Sequence, residues 1–221
     1  MSYACAEVLQ RTDVPVHITS PACHDRDDDR LAKALDALRI VPVIPLYGII
    51  RGSDGILCCE CGEKECRSPG KHPHIMDWPY SGTSDSKVVT QWHAKWPDMN
   101  FAALTSKSVA AIIIASPAAK QWFDELTFRN LGRTFETVSS LCGTDRDEWH
   151  FYFRAQRANI HNAVHIHPYV HVRAFHGLAI LPGSRHISGR LYQWEEGSRL
   201  ARYATLPEIP HWLAAELRRN T

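Results

Sequence analysis

The chain has 221 residues, of which 44% are apolar and 22% are charged, and its formal net charge is +1. These proportions are ordinary for a folded protein and exclude an intrinsically disordered chain. A near-neutral charge creates no overall attraction to nucleic acid or to a membrane surface, so any such contact must be a local patch. No apolar run is long enough to span a bilayer. We therefore expect a cytoplasmic protein with no membrane partner.

The first part of the chain predicts an N-terminal arm, a helix and a strand. Residues 1–24 show no strong period and are expected to form the arm, with a single domain over residues 25–221. The acidic run Asp27 to Asp29 favours a helix start through the macrodipole, and apolar residues then recur at helical spacing up to Leu38. The apolar run 40–46 contains two prolines, which places it at a sheet edge or at a strand start.

A short polar loop at residues 58–74, the cysteine loop, contains four of the seven cysteines and two histidines. Zinc prefers four thiolate or imidazole ligands, and this density therefore predicts a metal site. A disulfide-bonded loop is the alternative, but no signal-peptide pattern precedes the loop, which favours a reducing compartment. With all four positions filled by protein, the site is expected to be structural. The expected ligands are Cys59, Cys61, Cys66 and His72, with Cys58 and His74 as spare candidates.

The middle of the chain predicts a helix, two strands and a second long helix. Residues 83–85 form a helix cap, and the helix that follows ends before Pro97. Residues 101–105 and 108–115 are predicted strands, the second apolar enough to be covered on both faces. Ser116 and Pro117 open the next helix, which Gly132 closes. Most tryptophans at these amphipathic positions are expected to be core residues.

The last part of the chain predicts a series of short strands and a terminal helix. The strands are expected at residues 134–140, 149–155, 169–174, 177–181 and 190–195, and the helix at residues 207–219. This order indicates an α+β fold with a mixed or antiparallel central sheet. The sequence contains no glycine-rich phosphate loop of either common type.

Four segments of the sequence occur in an order that is found in one protein family. They are the helix from Ala34 with the strand Val41 to Leu46, the cysteine loop, the element Gln91 to Asn100, and the segment Leu181 to Trp194. Together they resemble the bifunctional DNA primase/polymerase (prim-pol) family of the archaeo-eukaryotic primases, many of whose bacterial members carry this cysteine loop. The resemblance implies a bacterial protein with a two-module prim-pol fold, flanking helices and an inserted zinc-binding loop.

The chemistry of this family requires three carboxylates and a histidine. Two acids at alternate positions on a central strand, and a third on a neighbouring strand, hold divalent metal ions, while the histidine contacts the phosphates of the incoming nucleotide. The segment 149–154 resembles the strand of the family's histidine, so the resemblance assigns that role to His150.

The carboxylate positions of the family hold no acid in this sequence. When Pro117 is used as the anchor, the two strand positions fall on Ile114 and Ser116, and the third falls on His171. No Asp or Glu occurs between Asp98 and Asp124, so no shift of register restores the pair. The sequence therefore predicts that the site for Mg²⁺ or Mn²⁺ has been lost.

These observations predict a zinc-stabilised domain that binds nucleotide or nucleic acid, such as single-stranded or primed DNA, or that regulates a protein partner. Arginines flank the strands of the expected cleft and suit phosphate contacts. The expected phosphate-binding residues are His150, Arg173, Ser184 and His186. The other flanking arginines are Arg146, Arg154, Arg157, Arg185 and Arg190.

Three alternatives stay open. The chain is an active primase/polymerase if Asp145 or Asp147 replaces the missing acids, and Mg²⁺ or Mn²⁺ would then be its cofactor. It is a protein-interaction module if the cleft binds no nucleotide. A second metal site is conceivable because alternate residues of an extended segment share one face, although solvated histidines explain the pattern as well. The histidines concerned are His161, His165, His167 and His171.

Overall fold

The computed structural model describes residues 27–135, 139–141, 148–156, 158, 160–161, 165–195 and 206–219. Its helices are α1 (Asp27–Asp36), α2 (Ser86–Lys95), α3 (Pro117–Leu131) and α4 (His211–Arg219), with short 3-10 helices at Ala37–Arg39 and Trp78–Tyr80. Its strands are β1 (Val43–Leu46), β2 (Ile49–Arg51), β3 (Leu57–Cys59), β4 (Asn100–Leu104), β5 (Val109–Ile114), β6 (Ser139–Leu141), β7 (Trp149–Arg154), β8 (His165–His167), β9 (Val170–Arg173), β10 (Leu178–Ile180) and β11 (Tyr192–Trp194). None of the helices in these ranges is long and apolar enough to cross a membrane.

The strands form two sheets and one hairpin, and all their pairings are antiparallel. The larger sheet has six strands in the order β11-β6-β7-β5-β9-β8, the smaller has three in the order β1-β4-β10, and β2 pairs with β3. The predicted α+β class is thereby confirmed. β5 lies between β7 and β9 and is buried at every position, as its continuous apolar sequence predicts for a central strand.

The two faces of β5 belong to different parts of the core, because side chains alternate along a strand. Ile112 and Ile114 pack in one cluster with Phe123 of α3 and Leu213 of α4. Ile113, on the opposite face, packs in a second cluster with residues of α1, α2 and β4. Burial of each isoleucine contributes about 1.5–3 kcal/mol, so reversal of this register would be costly.

The predicted helix caps are confirmed at both long central helices. The side chain of Asp85 accepts a hydrogen bond from the amide of Lys87 at the start of α2. Ser116 accepts one from the amide of Ala119 at the start of α3. Gly132 ends α3 with a φ of +68°, a left-handed conformation that glycine adopts without steric cost.

Several predicted boundaries differ from the structure for identifiable reasons. β1 begins only at Val43, because Ala37–Arg39 continues α1 as a 3-10 turn. β1 nevertheless lies at a sheet edge, as its prolines predict. α4 begins at His211 instead of residue 207, because the backbone before it pairs with β7. The Arg154 amide donates a hydrogen bond to the Pro207 carbonyl, and the Ile209 amide donates one to the Arg154 carbonyl. The short strands β2, β3 and β8 were not predicted, since three residues give too little periodicity.

Asn100 joins three segments at the start of β4 and is almost completely buried. Its Nδ2 donates to the carbonyl oxygens of Gly70 at 3.0 Å and Arg185 at 2.8 Å. Its Oδ1 accepts from the Arg185 amide at 2.8 Å. The side chain therefore fastens the cysteine loop and the segment before β11 to the same strand.

Replacement of Asn100 with alanine is expected to destabilise the fold strongly. The change leaves three buried backbone groups without these partners, and each such group costs about 1–3 kcal/mol. Urea unfolding of Asn100→Ala should give a loss of several kcal/mol, against less than about 1 kcal/mol for Asn130→Ala on the exposed surface of α3. Equal unfolding free energies for the two variants would contradict this role of Asn100.

Candidate metal centre and adjoining cleft

Four side chains of the cysteine loop converge as the sequence predicts. The ligand atoms of the set all lie within 4.8 Å of one another. His72 faces the thiols with Nε2, which lies 3.3 Å from the sulfur of Cys59 and 3.5 Å from that of Cys66. These separations are close to the roughly 3.5–3.8 Å between ligands around a tetrahedral Zn²⁺. The set is Cys59, Cys61, Cys66 and His72, and it fits a metal ion.

Local structure brings these ligands together. Cys59 ends β3, and alternation along this strand buries Cys59 while it exposes Cys58. Gly62, with a φ of +78°, turns the chain after the second ligand. A further turn, in which the Lys71 amide donates a hydrogen bond to the Ser68 carbonyl, places His72 beside the three cysteines.

The two spare candidates of the sequence lie outside the cluster. Cys58 is exposed. His74 instead lies 3.3 Å from Glu60 and stacks on Trp96, with ring centroids 4.4 Å apart. Burial lowers the pKa of His74, and the nearby Glu60 partly offsets this effect. Neither residue is therefore needed to complete the four-ligand set.

A cavity of about 400 Å³ adjoins the cysteine loop and is called the cleft below. Its walls come from β5, β9, β10, the cysteine loop and the segment between β9 and β10. Lys71, next to the metal ligand His72, lines the cleft directly. The cysteine loop thus contributes to the cleft wall, in addition to the structural role that the sequence predicts for its metal site. The lining residues are Ser68, Lys71, Trp78, Ile113, Ala115, Glu148, His171, Arg173, His176, Gly177, Leu178 and Ile180.

Glu148 is the only acidic residue among the described residues that line the cleft. Its carboxylate accepts a hydrogen bond from His150 Nε2 at 2.9 Å and from the Tyr192 hydroxyl at 3.1 Å. Lys71 Nζ lies 3.7 Å away. Burial acts to raise the pKa of Glu148, but the hydrogen bond and charge of His150, the charge of Lys71 and the hydrogen bond from Tyr192 lower it to about 2. Glu148 is therefore ionised at neutral pH.

Arg173 and His171 enter the cleft from β9. Burial lowers the pKa of Arg173, with Glu148 opposing that change, and an arginine so placed still carries its charge at neutral pH. Lys71, Arg173 and the single carboxylate give the cleft an excess of positive charge, which suits an anionic ligand.

The register anchored on Pro117 places the family's acid positions on residues that do not face the cleft. Ile114 is fully buried against α3 and α4, and Ser116 caps α3. Ile113 pairs with both His150 and His171, and residues paired across a sheet share a face. The two alternate residues of this segment that line the cleft are accordingly Ile113 and Ala115. Ile114 and Ser116 therefore lie outside the cleft, and neither they nor Ile113 and Ala115 supply an acid.

The expected phosphate-binding residues occupy different positions. Arg173 lines the cleft. His150 is fully buried and reaches the cleft only through Glu148. Ser184 does not line the cleft: it is fully buried, and its hydroxyl both accepts from and donates to the Phe101 backbone. His186 hydrogen-bonds with Ser188, and its ring centroid lies 6.4 Å from that of Tyr192.

The remaining arginines do not line the cleft where the structure describes them. Arg154 pairs with Glu208, Arg185 hydrogen-bonds to Asn100 through its backbone, and Arg190 donates to Ser188. Arg146 and Arg157 lie outside the described residues, as do Asp145 and Asp147.

Among the described side chains, His161, His167 and His171 belong to no second metal cluster, whereas the side chain of His165 lies outside the described residues. His165 pairs with His171 in the backbone register of β8 and β9. His167 stacks on Trp122, whereas His171 lines the cleft.

The pKa of Glu148 predicts a specific loss of stability in acid. Its folded value of about 2 lies below the ordinary value of 4.5, so the stability that it contributes is present above pH 4.5 and is lost as the pH falls through 2. The full contribution is roughly 3 kcal/mol. The unfolding free energy of Glu148→Gln should therefore fall less steeply over this range than that of the unaltered chain.

We expect metal release in acid to affect Glu148→Gln and the unaltered chain alike. The difference between their curves of unfolding free energy against pH therefore reports on Glu148. Glu125→Gln, on the exposed surface of α3, is the matched control and should follow the unaltered chain. Parallel curves for Glu148→Gln and the unaltered chain would show that ionised Glu148 adds nothing to the unfolding free energy over this pH range.

The structure defines an α+β fold in which a cysteine-histidine cluster that could hold a metal ion borders a cationic cleft. The family model described as bifunctional DNA primase/polymerase, N-terminal, matches residues 34–212, which is most of the chain. The chain therefore belongs to the bifunctional DNA primase/polymerase family, as the four sequence segments predict. Among curated proteins, none matches the chain.

Proposed function

We propose that this chain is a zinc-stabilised nucleotide-binding member of the family that does not carry out metal-dependent nucleotidyl transfer. The supporting observation is the set of residues on the cleft face of β5 and β9, where Ile113 and His171 occupy one rung of the sheet. Two divalent ions beside a triphosphate need several anionic oxygen ligands to balance their charge. Isoleucine, alanine and histidine provide none.

The single described carboxylate of the cleft does not replace that set. Glu148 already accepts hydrogen bonds from His150 and Tyr192 and lies near Lys71. A divalent cation at Glu148 would also be repelled by Lys71 and Arg173. The same two cations favour a phosphate group, to which arginine donates two parallel hydrogen bonds and lysine contributes a point charge.

The proposed metal at the cysteine loop is zinc in a structural role. Three thiolates and one imidazole are soft and borderline ligands that zinc accepts in a tetrahedron, and no position is left open for water or substrate. Because the four ligands come from one short loop, binding of the metal ion requires little loop-closure entropy. Metal analysis after purification without chelator should give about one equivalent of zinc.

The proposed function is tested by titration and by a polymerase assay on the same metal-loaded protein. Calorimetry with deoxynucleoside and ribonucleoside triphosphates should give binding. Primer extension and primer synthesis, with Mg²⁺ or Mn²⁺ present, should give no product above background. Product formation would overturn the loss of nucleotidyl transfer, and the lack of any binding signal would favour a protein-interaction module instead.

The second candidate function is an active primase/polymerase with relocated acids. Glu148 favours it, because an ionised carboxylate lies in the cleft immediately after Asp145 and Asp147 in the sequence. This candidate requires primer extension that is abolished by Glu148→Gln, or by replacement of either aspartate with alanine.

A further inference from the structure

Three aromatic side chains form a surface at the mouth of the cleft, here called the aromatic shelf: Tyr80, Phe175 and His176. The His176 ring is stacked 3.8 Å from that of Phe175 and meets the Tyr80 ring edge-on at 5.0 Å. Tyr80 is 81% exposed and Phe175 is 45% exposed. His176 also lines the cleft, so the shelf and the cleft are continuous.

The backbone holds this shelf in place. Tyr80 ends the 3-10 helix Trp78–Tyr80, whose first residue also lines the cleft. His176 lies in a tight turn between β9 and β10, closed by a hydrogen bond from the Gly177 amide to the Ala174 carbonyl. Its φ of +57° is left-handed, a conformation that costs a non-glycine residue about 1–2 kcal/mol. The mutual stacking of the Phe175 and His176 rings also restricts their side chains, so these two rings lose little further entropy when a ligand binds beside them.

Cationic side chains lie beside the shelf and in the cleft that it adjoins. Lys107 Nζ lies 5.1 Å from the centroid of the Phe175 ring, and Arg173 lines the cleft together with His176. A second depression of about 420 Å³ begins beyond Phe175 and is lined by Lys107, Gln156 and His161 among others. The shelf therefore separates two depressions, each with a cationic residue in its wall.

We propose that the aromatic shelf stacks an unpaired base of a single-stranded nucleic acid whose neighbouring phosphates lie in the cleft and beside Lys107. This proposal rests on the phosphate-binding function of the cleft. Single strands are bound elsewhere by the same combination of exposed rings and flanking cations, since every base has an apolar face and every linkage a negative charge. A protein partner would not require cations in both depressions, so the charge distribution favours the nucleic acid.

The test compares Tyr80→Ala and Phe175→Ala with Phe128→Ala, which removes from a different surface, on α3, a ring whose exposure lies between those of Tyr80 and Phe175. The metal-loaded variants are titrated with a short single-stranded oligodeoxynucleotide that carries the fluorescent base 2-aminopurine. Loss of one stacking ring should weaken binding about 5- to 100-fold, and Tyr80→Phe should retain the affinity. In the unaltered chain the fluorescence should fall on binding, because stacking quenches this base, and the quenching should be reduced in Tyr80→Ala.

Inorganic tripolyphosphate, which has no base, separates this proposal from the function of the cleft. All variants should bind tripolyphosphate as the unaltered chain does. Unchanged oligonucleotide affinity and unchanged quenching in both shelf variants, with tripolyphosphate still bound, would overturn the shelf alone. Absence of tripolyphosphate and nucleotide binding from the unaltered chain would overturn the function of the cleft, and the shelf proposal with it.

Discussion

Removal of the metal from the cysteine loop is expected to cost this protein a large part of its stability. Structural zinc sites contribute about 10–16 kcal/mol of binding free energy in isolated zinc-finger peptides, against a net stability of about 5–15 kcal/mol for a whole domain. The loop is also held by hydrogen bonds from Asn100 Nδ2 to the Gly70 carbonyl and from the Tyr47 amide to the His72 carbonyl, so part of its structure should survive. Cys66→Ser should therefore lower the unfolding temperature by many degrees.

The adjacent pair Cys58 and Cys59 supplies a matched control for this prediction. Cys58→Ser removes an exposed thiol outside the cluster and should leave the zinc content and the unfolding temperature nearly unchanged. Cys59→Ser should behave like Cys66→Ser. Equal unfolding temperatures for all three variants, with zinc still bound, would mean that these thiols are not the metal ligands.

Metal removal should also weaken ligand binding while the protein is still folded. Lys71 precedes the ligand His72, and Ser68 lies on the same turn, so loss of the metal frees the part of the cysteine loop that lines the cleft. Tripolyphosphate affinity is therefore expected to fall on chelation at a temperature below the unfolding transition, and to return when zinc is restored. An affinity that does not respond to zinc would limit the metal to a stabilising role.

Removal of either cation from the cleft is expected to produce the largest loss of triphosphate affinity. A hydrogen bond from a charged donor contributes about 1.5–3 kcal/mol, which corresponds to a loss of roughly 10- to 100-fold for Lys71→Ala or Arg173→Ala. Arg173→Lys should be intermediate, since lysine keeps the charge but loses the paired donors. Lys71→Ala also exposes the ligand to the negative charge of Glu148, which places its effect at the upper end of this range.

Lys64→Ala is the matched control for these variants, because Lys64 carries the same charge on the same loop but is exposed and does not line the cleft. Isothermal calorimetry with a nucleoside triphosphate and with tripolyphosphate should leave Lys64→Ala within about twofold of the unaltered chain. If all three alanine variants lose affinity equally, the ligand responds to net charge and does not bind in the cleft.

The cysteine-histidine cluster that could hold a metal was predictable from the sequence because its residues are close together in it. Cys59, Cys61, Cys66 and His72 span one short loop, so spacing and turn residues nearly fix their geometry. The helix caps at Asp85 and Ser116 and the stop at Gly132 are local for the same reason. Family membership also followed from four short segments in the right order, and the family model confirms it.

The composition of the cleft could not be predicted in this way, because its residues come from distant segments. The sequence did not predict a role for Glu148, which follows two aspartates, because only the tertiary structure brings it to Lys71 of the cysteine loop and Tyr192 of β11. The spacing of Glu148 from His150 could have indicated this role, because residues two apart along an extended segment lie on the same face. Ser184 was placed in the site by motif, yet the packing of its hydroxyl on Phe101 buries it.

By itself, the sequence determined the cysteine-histidine cluster that could hold a metal, the capped helices and the absence of acids between Asp98 and Asp124, since each depends on residues that are neighbours in the chain. Only the tertiary structure decided which face of β5 meets the cleft, because a register shift of one residue exchanges Ile114 for Ile113 and is set by packing against α3 and α4. It also decided that the cysteine loop brings Lys71 to the cleft and that Tyr80 and His176 meet, contacts between segments that no local pattern encodes.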